Sequence, residues 1–147
     1  MPTHIFTVAA RGYAIDSQTN NLTLFCVLES LAAPEFPFAI PELTVVTLWE
    51  RSSGEEGVPF IQRTRLVDPE GAEVFCSDSS FRLDRARHRN ILTVQMAPFR
   101  TVGYHRIEVL VKKEDQGGWP DPVASYPLEV AVGSHEGKQE LFAEPRQ

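Results

Sequence analysis

The stretch Ser30–Glu50, SLAAPEFPFAIPELTVVTLWE, decides the fold. Pro34, Pro37 and Pro41 exclude a helix interior, because a proline lacks an amide donor and forces the residue before it into an extended conformation. The stretch continues into Leu43–Trp49, an apolar run that is typical of a central strand. We therefore interpret the whole segment as a crossover that joins two β-sheets.

Short strand patterns separated by turn signals occupy the rest of the chain. Leu22–Glu29 (LTLFCVLE) is almost continuously apolar, which predicts an inner strand. The sequence Asp68–Gly71 (DPEG) predicts a tight turn, because proline fixes φ early in a turn and glycine accepts a positive φ later. The flanking segments, Val58–Val67 and Ala72–Leu83, should then form a hairpin. Tyr104–Lys113 alternates between apolar and charged residues, as a half-buried strand does.

Together these patterns predict an all-β fold. The expected architecture is an antiparallel two-sheet sandwich of the immunoglobulin-like type, with about eight strands and no major helix. The chain has 147 residues, 42% of them hydrophobic, which suffices for one core without a disulfide or metal. We expect one sandwich domain over residues 1–132 and a loosely ordered polar tail over residues 133–147.

Composition also restricts partners and compartment. The formal net charge of −6 argues against nucleic-acid binding, which normally requires a broad basic face. The first residues do not resemble a signal peptide, and no window has the ~20 apolar residues needed to cross a membrane. We therefore expect a cytoplasmic protein without a membrane partner. Cys26 and Cys76 should then be reduced, buried thiols, and the apolar neighbours of Cys26 should make it unreactive.

No catalytic or metal-binding pattern is present in the sequence. The four histidines and two cysteines do not have the spacing of a zinc site. There is no Gly-x-Ser-x-Gly nucleophile motif and no glycine-rich phosphate loop before a helix. The sequence therefore predicts no catalytic residue, no metal site and no cofactor.

One concentration of charge lies in Arg82–Arg89, which contains Arg82, Arg85, Arg87 and Arg89 against a single aspartate. Arginine side chains suit phosphates and carboxylates because their planar forks donate paired hydrogen bonds. The four arginines are candidates for binding an anion or an acidic partner. The alternative is an ordinary solvated connection, which we place at residues 85–90.

Trp119 is the second candidate contact residue, in the loop Gln116–Pro122 (QGGWPDP). A tryptophan at a hairpin tip either folds back over the sandwich or is offered to a partner, because tryptophan is favoured as an interface anchor. The sequence leaves both alternatives open.

The order of these features resembles a family of short, uncharacterised bacterial all-β proteins. The resemblance lies in the leucine-rich strand LTLFCVLE, the crossover APEFPFAIPELTVV, the turn LVDPEG and the final strand YPLEV, within residues 5–132. This sequence departs from the family pattern in having Gly103 and Tyr104 adjacent and a longer loop at Gln116–Pro122. The resemblance implies a fold and no activity, so no functional residue is carried over.

Our leading hypothesis is a non-enzymatic binding or assembly module that acts through loops or a sheet edge, with a protein partner or a second copy of the chain. The competing hypothesis is a small enzyme or anion-binding protein that uses a cleft between loops 82–89 and 116–122. A third alternative is a phage-like or secreted structural component, which fits the fold but lacks a secretion signal.

Overall fold

The predicted strand patterns form nine strands in the computed structural model, which describes residues 1–133. In order, they are β1 (Thr3–Ile15), β2 (Leu22–Val27), β3 (Ser30–Ala33), β4 (Phe38–Glu50), β5 (Pro59–Val67), β6 (Glu73–Arg82), β7 (Arg87–Phe99), β8 (Gly103–Lys113) and β9 (Ala124–Val132). Within the described residues no helix is long and apolar enough to cross a membrane. The prediction of a loose tail falls, apart from Gly133, outside the described residues.

The strands pack as two sheets, with the orders β2-β1-β4-β7 and β3-β9-β8-β5-β6. Every neighbouring pair is antiparallel except β3 and β9, which run parallel. The β4–β7 pair takes the place of strands B and E of an immunoglobulin sandwich, while β5, β8 and β9 take the places of C, F and G. The predicted fold class is therefore confirmed, with one strand more than expected.

The proline-rich segment does join the two sheets. Its first residues form β3 at the edge of the five-stranded sheet, and its last residues form β4 in the four-stranded sheet. β4 lies between β1 and β7, as a central strand should. Leu43, Val45 and Trp49 of β4 are at most 1% exposed.

Two apolar clusters fill the space between the sheets. The first contains the buried side chains of Leu43, Val45, Leu66, Phe99, Ile107 and Leu128, among others. The second surrounds Trp49 and contains Phe60, Phe81, Leu83, Val109 and Val111. The turn Asp68–Gly71 joins β5 and β6, which confirms the predicted hairpin. The Asp68 carboxylate accepts hydrogen bonds from the amides of Glu70 and Ala72, which fixes the turn.

Two predictions about single segments are wrong. Leu22–Val27 is an edge strand and not an inner one, because only β1 pairs with it among the described residues. Residues 87–90 are the start of β7 and not a connection. The predicted alternation of β8 is confirmed, since Glu108 lies between the core residues Ile107 and Val109. Glu108 is only 7% exposed, because Arg65 of the neighbouring strand lies across it with a nitrogen–oxygen distance of 3.2 Å.

Candidate functional site

The β1–β2 hairpin folds back over the outer face of the four-stranded sheet. If β1 ran straight, Ile15 would lie roughly 30 Å from Phe6, at about 3.3 Å per residue. Nevertheless Arg89, which lies on β7 in the same row as Phe6, donates a hydrogen bond of 2.9 Å to the carbonyl of Asn20 at the hairpin tip. The hairpin beyond Ala10, residues 11–27, is therefore an arm that covers the sheet.

Burial beneath this arm agrees with that geometry. Thr44 and Val46 point away from the sandwich interior, because Val45 between them belongs to the core. Both are nonetheless 0% exposed. The arm thus acts as a third layer over part of the four-stranded sheet.

A cavity of about 420 Å³ lies between the arm and the sheet. Its lining consists of five apolar side chains and one arginine: Phe6, Val8, Leu22, Leu24, Leu48 and Arg89. Leu22 and Leu24 come from the arm, and the other side chains come from the sheet. Within residues 1–133 no carboxylate lies within ion-pair distance of Arg89.

The other side of the arm presents apolar side chains to solvent. Phe25 is 51% exposed and Val27 is 49% exposed, and both belong to the edge strand β2. Between them Cys26 has a φ of 51°, a left-handed backbone conformation that is uncommon for residues other than glycine. The cavity face carries Leu22 and Leu24 and the exposed face carries Phe25 and Val27, so the sequence LTLFCV has nearly the continuous apolar pattern of an inner strand.

The four predicted arginines do not form one site. Arg82, Arg85 and Arg87 line a cavity of about 330 Å³ together with Asp84 and His88. In this group Arg82 donates to the carbonyl of Gly57, and Arg87 lies 3.5 Å from the Glu50 carboxylate. Arg85 is the arginine of this group without a hydrogen bond or ion pair in the described part of the chain.

Arg89 lies apart from the other three arginines, in the cavity under the arm. Arg87 is the first residue of β7, next to the turn that contains Arg85, whereas Arg89 lies two residues further along β7, opposite Leu48 of the cavity lining. Sequence reasoning placed Arg89 in a connection and missed Leu22 and Leu24 as cavity residues. β1 pairs with β4 only as far as Ala10, and the arm begins beyond that residue. A sequence pattern does not show where the pairing of two strands ends.

Trp119 lies over the outer face of the five-stranded sheet. Its ring is 4.2 Å from the Arg63 guanidinium and 4.7 Å from the Lys112 ammonium, distances typical of cation–π contacts. Arg63 also binds Asp78 through two hydrogen bonds of 2.8 Å. Trp119 thus folds back onto its own sheet, and it does not line the cavity formed by the arginines.

The two cysteines are exposed, and the prediction that both are buried is wrong. Cys26 is on the edge strand β2, and Cys76 is on the edge strand β6, opposite Arg65. Partial burial is the main cause that raises the pKa of the Cys76 thiol, which favours its protonated, weakly nucleophilic form. No group of three or more metal-binding side chains occurs in residues 1–133.

A polar network crosses the interior at one end of the sandwich, and it is centred on Gln62 of β5. Gln62 Oε1 accepts hydrogen bonds of 2.7 Å from Trp49 Nε1 and from Asn90 Nδ2. Gln62 Nε2 donates to the hydroxyls of Thr64 and Thr47. This network connects the two sheets by hydrogen bonds within an otherwise apolar core, and the sequence analysis did not identify it.

Two histidines extend this network to the surface. His4 Nε2 lies 2.7 Å from the Thr7 hydroxyl, which in turn lies 3.3 Å from the Thr47 hydroxyl. His88 Nε2 lies 2.7 Å from Asn90 Oδ1 on the other side. The His4 and His88 side chains flank Trp49 on neighbouring strands. The arrangement orders hydroxyl and amide groups around Trp49.

His4 provides a pH-dependent prediction. Burial lowers the pKa of His4 below its ordinary value of 6.5, because desolvation disfavours the charged form of the side chain. An unfolded chain binds the proton first as pH falls through 6.5, so the free energy of unfolding is highest above that pH and decreases below it. Urea unfolding at about pH 7.5 and about pH 5.5 measures this loss, and the variant His4→Gln should show a smaller loss. An unchanged loss in the variant would contradict the assignment to His4.

The fold and this site define a class: an immunoglobulin-like β-sandwich with a hairpin arm over an apolar cavity. The chain belongs to the family of unknown function DUF6941, which it matches over residues 5–124. This confirms the resemblance to an uncharacterised family. A comparison with curated proteins finds no match.

One similar solved structure is the crystal structure of an immunoglobulin-like protein from Pseudomonas aeruginosa, at 1.50 Å resolution. The two chains are 14% identical, the match covers 83% of this chain and 90% of the other, and the TM-score is 0.36. The assignment of the fold to this chain rests on its own strand order.

Proposed function

We propose that the protein is a non-enzymatic assembly module whose β2 edge pairs with the β2 edge of a second copy. The observation that carries this proposal is the composition of Leu22–Val27, LTLFCV, an edge strand without a charge or a proline. Natural edge strands usually carry such residues or are very short, because an open edge otherwise pairs with another chain.

The other three edges have the usual protection. β3 has four residues, β6 carries Glu73, Asp78 and Arg82, and β7 carries Arg87, Arg89 and Pro98. The contrast within one molecule supports a role for β2 that the other edges do not have.

Charge also favours a second copy as the occupant. A two-fold interface places the same strand on both subunits, so a charged strand would approach its own charge. β2 avoids this repulsion because it is uncharged, although the whole chain has a net charge of −6. The half-exposed side chains of Phe25 and Val27 would lose part of their contact with water to cross-strand neighbours in such a pair.

The variant Phe25→Lys tests this proposal. We expect the unmodified protein to dimerise with a Kd on the order of 10 µM, because a single edge pairing is small for a protein interface. Phe25→Lys should weaken the dimer at least about tenfold, since it introduces two positive charges at a buried strand pair. Sedimentation velocity over a concentration series measures both values.

Met96→Lys is the matched control. Met96 is 62% exposed and lies on β7, the opposite edge of the same sheet, so the same change of charge should leave the dimer intact. A protein that remains monomeric at about 200 µM would overturn the proposal. Equal weakening by both variants would also overturn it, because the effect would then come from net charge.

The alternative, an anion-binding protein that uses a cleft between loops 82–89 and 116–122, has less support. The cavity at the arginines is lined by residues 82–88 alone, and a neighbouring cavity of about 420 Å³ is lined by residues 58–59 and 113–115. Neither of these cavities contains a residue of the loop 116–122.

A further inference from the structure

We propose that the cavity under the hairpin arm binds a small amphipathic carboxylate, with its apolar chain against the sheet and its carboxylate on Arg89. The cavity of about 420 Å³ lies within the range of small-molecule sites, roughly 300–1,000 Å³. Five of its six lining side chains are apolar, and the sixth is a guanidinium. A lining of apolar side chains with one guanidinium is complementary to a molecule that has an apolar body and an anionic end.

Arg89 determines the charge that we expect of the ligand. Its guanidinium has five N–H donors, and one of its nitrogens binds the Asn20 carbonyl at 2.9 Å. Within residues 1–133 no carboxylate neutralises it, and the side chain is half-buried beside apolar groups. A charge in such surroundings favours an anionic partner, because partial burial weakens its screening by water.

The size of the cavity sets the size of the ligand. If each non-hydrogen atom takes about the 30 Å³ of a water molecule, the cavity holds about 14 of them, enough for ten carbons and the two oxygens of a carboxylate. Decanoate is therefore the probe for a carboxylate, and decanol is the matched neutral probe. The site does not depend on β2 pairing, since Leu22 and Leu24 contribute side chains that face the sheet while the free edge faces away.

Isothermal titration of the full chain with both probes tests the proposal. We expect decanoate to bind the unmodified protein with a Kd of roughly 0.1–1 mM, typical for a ligand of this size. In Arg89→Met the Kd for decanoate should rise about tenfold, because a charge-assisted hydrogen bond is lost. The Kd for decanol should change less than about threefold, because the apolar lining is kept.

The comparison of probes separates ligand binding from support of the arm. If Arg89 only tethers the arm through Asn20, Arg89→Met weakens decanoate and decanol equally, and the proposal is overturned. Arg85→Met is the matched control outside this cavity and should leave both Kd values unchanged. Equal loss in both arginine variants, or no decanoate binding to the unmodified protein at about 5 mM, would also overturn the proposal.

Discussion

Replacing Gln62 by leucine is expected to lower the free energy of unfolding by about 3 kcal/mol. Leucine removes the acceptor that serves both Trp49 and Asn90. The Trp49 side chain is 0% exposed, so its indole N–H is left without a partner and without access to water. An unsatisfied buried donor costs more than the net gain of the original bond, because its full desolvation is no longer compensated.

Urea unfolding of single and double variants measures this effect. Gln95→Leu on the exposed part of β7 is the matched control, and its effect should stay within about 0.5 kcal/mol. In the double variant with Trp49→Phe the unpaired N–H is absent. The two changes together should therefore cost about 1–2 kcal/mol less than their sum. Additive effects would show that the hydrogen bond between Trp49 and Gln62 does not contribute as described.

Replacing Gly103 by alanine is expected to lower the free energy of unfolding by about 3 kcal/mol. Gly103 has a φ of 124°, which side-chain-bearing residues rarely adopt. An added Cβ would lie 2.7 Å from Cγ of Pro69, whose ring is rigid and belongs to the fixed turn between β5 and β6. Backbone strain and steric overlap therefore add at this position.

The same substitution in a Pro69→Ala variant separates backbone strain from steric overlap. In Pro69→Ala the ring atom at 2.7 Å is absent and only Cβ at 3.1 Å remains, so Gly103→Ala should then cost only about 1–2 kcal/mol, mainly from backbone strain. Gly117→Ala is the control, because an added Cβ there meets no atom within 4 Å and should change stability by less than about 0.5 kcal/mol. An equal cost in both backgrounds would exclude steric overlap with Cγ of Pro69 as a cause.

The sandwich and its central strand could be predicted from local sequence signals. The turn at Asp68–Gly71 depends on the backbone preferences of proline and glycine and on a side chain that bonds its own turn, so it needs no tertiary information. The β4 strand was recognisable because a strand with neighbours on both sides and layers on both faces is apolar at consecutive positions.

The same sequence signals gave a wrong prediction for the arm. Leu22–Val27 has the apolar pattern of a central strand, yet one face lines a cavity and the other is exposed. Periodicity reports which faces are apolar, and it does not report whether protein, a ligand or solvent lies against them. The Gln62 network was missed for a related reason, since glutamine and threonine carry no signal that predicts their partners across a core.

The arginine cluster was also wrongly assigned, because the start of a strand is difficult to locate from sequence. Arg82, Arg85, Arg87 and Arg89 are close in sequence, but Arg89 lies further along β7 than Arg87 and lines a different cavity from the other three. Element boundaries are the least reliable part of a sequence-based assignment. The prediction placed residues 85–90 in a connection, whereas β7 begins at Arg87, so the position of Arg89 in the cavity under the arm was not predicted.

The parallel pair of β3 and β9 imposes an order on assembly during synthesis. Ser30 lies opposite Glu129, so the first third of the chain needs a neighbour from the last fifth. A ribosome makes the chain from its N-terminus, and β3 therefore has no pairing partner until almost the whole polypeptide has been made. The β1–β2 hairpin, by contrast, can form as soon as its own residues emerge, because its contacts are local.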